Sequence, residues 1–123
     1  MKIEVSNGEA VDKLTILEIK LEKIKDEGKL MNLRKEFKTL NDEVEKIISK
    51  KDMLYIRLMK INRELWDVED RIRILEKNKD FGQNFIELAR AVYMQNDERA
   101  KIKRAINEKT GSDLVEEKSY EDY

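Results

Sequence analysis

Asn96, Asp97, Arg99, Lys103 and Asn107 form the strongest polar group in the chain. At about 100° per helical residue, Asn96 and Lys103 share a side with Tyr93, while Gln95 and Arg99 interrupt the edge that Val92, Ile102 and Ile106 define. A helix that yields core positions to polar residues loses burial there, which marks either a site or a solvent-exposed stretch. The chemistry such residues offer is electrostatic, since guanidinium and ammonium groups hold carboxylate or phosphate. A small enzyme or binding bundle for an anionic metabolite, such as a sugar phosphate, would clamp it with Arg90, Arg99, Lys103 and Lys118 and complete the site with Glu69 or Tyr93.

A second group lies on a stripe that changes from apolar to charged: Tyr55, Met59, Asn62, Trp66, Glu69, Arg73. Trp66 has two readings, a second core contact against the first or last helix and a stacking wall for a sugar or base. Asp67, Glu69 and Asp70 form an acidic knot. Pairing of Asp67 with Arg71 and of Glu69 with Arg73 at i,i+4 makes it a solvated helix surface, with a Mg²⁺ site as the alternative. Near the end, Lys118 and Tyr120 belong either to a loose tail or to a docked one.

Composition narrows the chemistry. No cysteine or histidine is present, which removes disulfides, thiolate ligands, a cysteine nucleophile and the usual general base. No resident metal or cofactor is expected. Net charge is −1, so no global field draws the chain to nucleic acid or an anionic membrane. Residues 1–25 lack an uninterrupted apolar run; neither a signal peptide nor a membrane span is expected, and a cytoplasmic location is the default.

The elements that must position these groups are helices. Charged residues make up 43% of the 123, proline is absent and glycines number four, a balance that favours long helices over tight turns. The central element runs through Leu54, Leu58, Ile61, Leu65, Val68, Ile72 and Leu75, a seam at alternating four- and three-residue steps. The expectation is an all-α, antiparallel bundle of about four helices built from helical hairpins. It comprises a single domain with helices near 7–26, 29–49, 53–78 and 83–109, a short extended arm over 1–5 and a tail over 110–123.

Ser6 and Glu9 fit a capping box, and Gly28 suits a left-handed residue past the first helix. The apolar phase of the second helix continues past Lys51 into the third. One reading is a continuous helix of about 75 Å, which would be an oligomeric coiled coil. The other is a hairpin with Ser49 or Asp52 capping a new helix; the hairpin is the expectation adopted. The tail carries Asp113, Glu116, Glu117, Glu121 and Asp122. It could fold back on the basic stretch 90–109, burying Leu114, Val115 and Tyr120.

Four segments, VSNGEAVDKLTILEIKLEKI, LWDVEDRIR, DFGQNFIELARAVYMQNDERAKIKRAIN and GSDLVEEKSY, together resemble a bacterial domain-of-unknown-function family. Its members are small helical proteins found beside or fused to glycosyltransferases of surface-polysaccharide assembly. The Lys- and Glu-rich stretch 35–60 departs from that family's usual Ala-rich text. The resemblance implies a neighbourhood rather than a mechanism. It makes a non-catalytic module that binds a protein partner, such as a glycosyltransferase, the leading expectation. The anion-binding enzyme is the alternative, and a structural coiled-coil oligomer or homodimer the third.

Overall fold

The computed structural model describes residues 1–123. Its helices are α1 Asn7–Lys23, α2 Glu27–Glu45, α3 Met53–Lys77 and α4 Gln83–Thr110, with no strand. They form an all-α bundle of two antiparallel hairpins, α1–α2 and α3–α4, with α1 packed against all three other helices. α2 packs along α1 alone. It reaches the shared core at its C-terminal end, where Val44 and the following Ile48 join the cluster of Val11, Leu14, Tyr55, Leu58 and Ile106, with Phe37 and Leu40 packed against it. A smaller cluster of Leu17, Leu30 and Leu33 fills the other end of the α1–α2 hairpin.

The helix ends follow their capping chemistry, with corrections to the sequence expectation. Ser6 caps α1 by accepting the Glu9 amide at 3.1 Å, but the Glu9 carboxylate pairs with Lys103 at 2.6 Å instead of closing the box. α1 ends at Lys23, and Gly28 lies inside α2 rather than in a left-handed cap. The reason is Asp26, whose carboxylate accepts the Lys29 amide at 2.9 Å and starts α2 before the glycine. No continuous helix spans 29–78: the chain leaves α2 after Glu45, and Asp52 caps α3 by accepting the Leu54 amide at 2.8 Å. The α3–α4 turn at 78–82 places Lys79 at φ 56°. There Asp80 N–H donates to Leu75 O and Lys79 N–H to Glu76 O, which satisfies carbonyls the helix end would leave open. Residues 1–5 form an exposed, unpaired arm.

The seam on α3 is buried at Leu58, Ile61, Leu65 and Val68, and loosens to half-buried at Ile72 and Leu75. The stripe beside it has the same gradient. Tyr55 and Asn62 are buried, Trp66 and Glu69 half-buried and Arg73 exposed, because α1 covers only the first part of this face. α1 has 17 residues against 25 in α3 and 28 in α4. At about 1.5 Å per residue it falls short of α3 by roughly 12 Å. No residue from 62 to 101 belongs to either core cluster.

Tyr55 is sealed in the main core and donates its hydroxyl to Glu18 Oε1 at 2.8 Å, beside Lys50 at 3.2 Å from the same oxygen. Burial, and next the hydrogen bond to a carboxylate, push the Tyr55 pKa far above its ordinary value of 10.0. The folded chain keeps a proton that the unfolded chain releases above about pH 10. The contribution is intact below that pH and is lost as pH rises. Denaturant titrations between about pH 10 and 11 should show wild-type stability falling more steeply than that of Tyr55→Phe, by up to about 1.4 kcal/mol per pH unit. Parallel slopes would contradict this account of Tyr55.

Candidate functional site

Asp12 lies on the same side of α1 as Ile16 and Ile19, and its side chain is sealed from solvent, with 1% exposure. A carboxylate without water is tolerated only when its oxygens are matched by donors. Asp12 Oδ1 accepts from Asn62 Nδ2 at 2.9 Å and Arg99 Nε at 2.9 Å, while Arg99 also reaches Oδ2 in a bidentate pair. Asn62 Nδ2 donates as well to Thr15 Oγ1 at 2.8 Å, and Thr15 Oγ1 donates to Asp12 O at 2.7 Å. Lys103 Nζ stands 4.0 Å from Asp12 and 2.6 Å from Glu9. Two acids thus meet two bases at the junction of α1, α3 and α4. The hydrogen bonds to Asp12 push the Arg99 pKa up, against a smaller desolvation effect.

One turn nearer the start of α1, Gly8 lets the two backbones touch. A Cβ there would collide with Lys103 O and lie 2.9 Å from Asn107 Oδ1. Asn107 is buried and accepts the Gly8 amide at 2.6 Å. Asn7 N–H donates to Ser112 Oγ at 3.0 Å, and Asn7 Nδ2 to Thr110 Oγ1 at 2.9 Å. Two open amides of the α1 N-terminus, those of Asn7 and Gly8, are therefore met by side chains at and just past the end of α4.

The tail after Gly111 lies back along α4, held by polar contacts. Ser6 Oγ donates to Glu116, Arg104 donates to Glu117 at 2.9 Å and Tyr123 OH donates to Asp97 at 2.7 Å. The Tyr93 and Tyr123 rings stand 5.1 Å apart. Leu114, Val115 and Tyr120 do not become buried as expected; all three remain exposed. The strap is held by hydroxyl–carboxylate hydrogen bonds and the Arg104–Glu117 pair rather than by buried apolar side chains.

Three clefts adjoin this face. One of about 360 Å³ between α1, α3 and α4 is lined by Trp66, Glu69, Arg73, Asn96 and Arg99 with Ile16. A second of about 700 Å³ between α4 and the tail is lined by Tyr93, Asn96, Asp97, Lys118 and Tyr120. A third of about 210 Å³ includes Lys103 and Lys118. Asn96 is shared by the first two and Lys118 by the last two, whereas Arg90 of the expected clamp and Asp67 of the acidic knot are exposed and border none of the three. Arg99 and Lys103 are already paired with Asp12 and Glu9 rather than free. In the acidic knot Arg73 pairs with Glu69, whereas no bridge forms between Asp67 and Arg71. No group of three acidic side chains in the chain converges into a cation site. Sequence reasoning missed Glu9, Asp12 and Thr15. A signal existed: Asp12 falls four and seven residues before Ile16 and Ile19, on the second apolar side of the first helix.

The class these features define is a small four-helix bundle with an internal polar junction and open clefts along one face. No helix is long and apolar enough to cross a membrane. The chain belongs to a family of unknown function, DUF6165, whose model it matches over residues 1–123. No curated protein and no solved structure matches it.

Removing Asp12 strands Arg99 and Asn62 at a dry junction, so Asp12→Ala should cost about 3–5 kcal/mol in urea unfolding. A loss below about 1 kcal/mol, the level of an exposed pair, would contradict the sealed network. Gly8→Ala should cost about 1–3 kcal/mol by forcing α1 away from α4; a neutral result in the same assay would show that the helices do not approach as described.

Proposed function

We propose that this protein is a non-catalytic module that binds a protein partner through the far half of the α3–α4 hairpin. The observation that carries the reading is the apolar surface beyond the reach of α1: Ile74, Phe81, Ile86, Tyr93 and Met94 are all exposed on that half. Phe81 and Phe85 stack edge to face at 5.2 Å near the turn, giving the tip a rigid aromatic element. Helix pairs whose outer faces carry apolar residues among charges gain stability when a partner covers them. A glycosyltransferase of surface-polysaccharide assembly is the partner that the resembling segments favour.

The anion-clamp reading draws less support. Arg99 and Lys103, its two central cations, are neutralised by Asp12 and Glu9 inside the fold. The charge of Arg99 is already matched by a bidentate carboxylate, so a phosphate at its remaining donor edge would meet no surplus cation.

The test is co-purification with a glycosyltransferase encoded beside the protein, comparing wild type with Ile86→Asp and Phe81→Asp. Both positions are exposed, so melting should be preserved within about 0.5 kcal/mol. Complex formation should fall at least about tenfold, the equivalent of one hot-spot contact of about 1.4 kcal/mol. Equal retention of the partner by both variants would remove the hairpin tip from the interface. Failure of the wild-type chain to retain any such enzyme would overturn the partner assignment.

A further inference from the structure

The cleft between α1, α3 and α4 is lined by polar side chains with hydrogen-bonding capacity that the fold does not use. Asn62 is nearly sealed, and its Nδ2 is committed to the Asp12 carboxylate and to Thr15 Oγ1. A carboxylate only accepts, so the amide nitrogen must face it, and Asn62 Oδ1 points the other way with no protein donor. Arg99 commits Nε and Nη2 to Asp12, leaving its Nη1 donors unused. Both side chains line the cleft. So do Trp66, Asn96 and Asp70, whose indole N–H, amide and carboxylate have no hydrogen-bond partner within the chain. Donors and acceptors, those of Asn62 and Arg99 held by Asp12, therefore share the cleft with an aromatic side chain and the apolar Ile16 and Leu65.

The charge of the cleft selects against phosphates. Arg99 is matched by Asp12 and Arg73 by Glu69, so Asp70 alone is uncompensated. No surplus cation faces the space. A ligand that suits it presents an apolar face to an indole and hydroxyls that both donate and accept. At about 360 Å³ the cleft falls in the lower part of the range for small-molecule sites.

We propose that this cleft is a binding site for a neutral sugar unit, with Trp66 as the stacking wall. Asn62 Oδ1 and Asp70 accept from its hydroxyls, and Arg99 Nη1 and Asn96 donate to them. The site lies apart from the hairpin tip and stands whether or not that tip binds a protein.

Trp66 is the one tryptophan of the chain, so its emission reports this cleft alone. The intact protein would be titrated with glucose, maltose, cellobiose, lactose and N,N′-diacetylchitobiose, and with glucose 1-phosphate as the charged counterpart of glucose. At least one neutral sugar should give a saturable change in emission, with a dissociation constant on the order of millimolar, as suits a small open site. Asp70→Ala and Asn96→Ala, both away from the sealed junction, should each weaken binding about fivefold or more with unchanged helical circular dichroism. Ligand-observed NMR should show binding lost in Trp66→Ala and retained in Trp66→Phe. No saturable response to any of the neutral sugars would overturn the proposal. So would an affinity indifferent to both Asp70→Ala and Asn96→Ala, or glucose 1-phosphate binding about tenfold tighter than glucose.

Discussion

A carboxylate shut away from water must be met by donors at fixed distances, and Asp12 imposes that condition on the whole bundle. Its donors come from α3 through Asn62 and from α4 through Arg99. The position of α1 across the α3–α4 hairpin is thus set by hydrogen-bond geometry as well as by apolar contact. Apolar surfaces alone tolerate sliding, whereas a bidentate guanidinium–carboxylate pair admits little. Gly8 reinforces the same docking a turn earlier, where the missing Cβ lets the α1 backbone meet Lys103 O and Asn107. The planar fork of Arg99 suits this place better than an ammonium group would, because it spans both Asp12 oxygens and keeps a further donor edge.

Much else follows from α1 being shorter than the hairpin it crosses. The second faces of α3 and α4 are covered where α1 lies and open where it ends. Covered positions on α3 are Tyr55 and Asn62, and the covered position on α4 is Asn107. Open positions are Arg73, Ile86 and Tyr93. The cleft around Trp66 forms at the margin between the two regimes, where α1 supplies one wall and the diverging helix faces supply the others. Beyond the margin the hairpin stands on its own seam, with Val68 and Leu88 as its buried residues. α2 lies along α1 and meets that hairpin only in the shared core near the start of α3 and the end of α4, so it leaves the open half uncovered.

The charges, nearly balanced overall, are also balanced locally. Glu9 with Lys103 and Asp12 with Arg99 close at the junction, Glu22 with Arg63 closes α1 onto α3 at 2.5 Å, and Glu117 with Arg104 holds the tail. Exposed pairs of this last kind contribute little to stability and weaken with salt. The tail is therefore a lightly held cover for α4, in contrast to the sealed junction beneath it. At the cleft beside Trp66 both arginines are paired, Arg99 with Asp12 and Arg73 with Glu69, which leaves apolar surface and neutral hydrogen-bonding groups as its unmatched features beside Asp70.

Helix existence and order were legible in the sequence, because a 3.6-residue period in apolar residues is a local property that needs no partner to be read. Ser6 and Asp52 likewise announced their caps, since a cap bonds to amides a few residues away. Candidate residues on the third and fourth helices could be picked out as breaks in an apolar pattern, and Trp66, Glu69, Arg73, Asn96 and Arg99 among them line one cleft. Local signals misled where two motifs competed, as at Gly28, which lost the role of helix stop to the capping carboxylate of Asp26. What only the tertiary structure decided is how each polar break is satisfied. Arg99 and Lys103 read as free cations along one helix, yet they are neutralised by Asp12 and Glu9, 87 and 94 residues away. Pairing at that separation depends on how α1 lies across two other helices, and no periodicity within a single segment encodes a crossing.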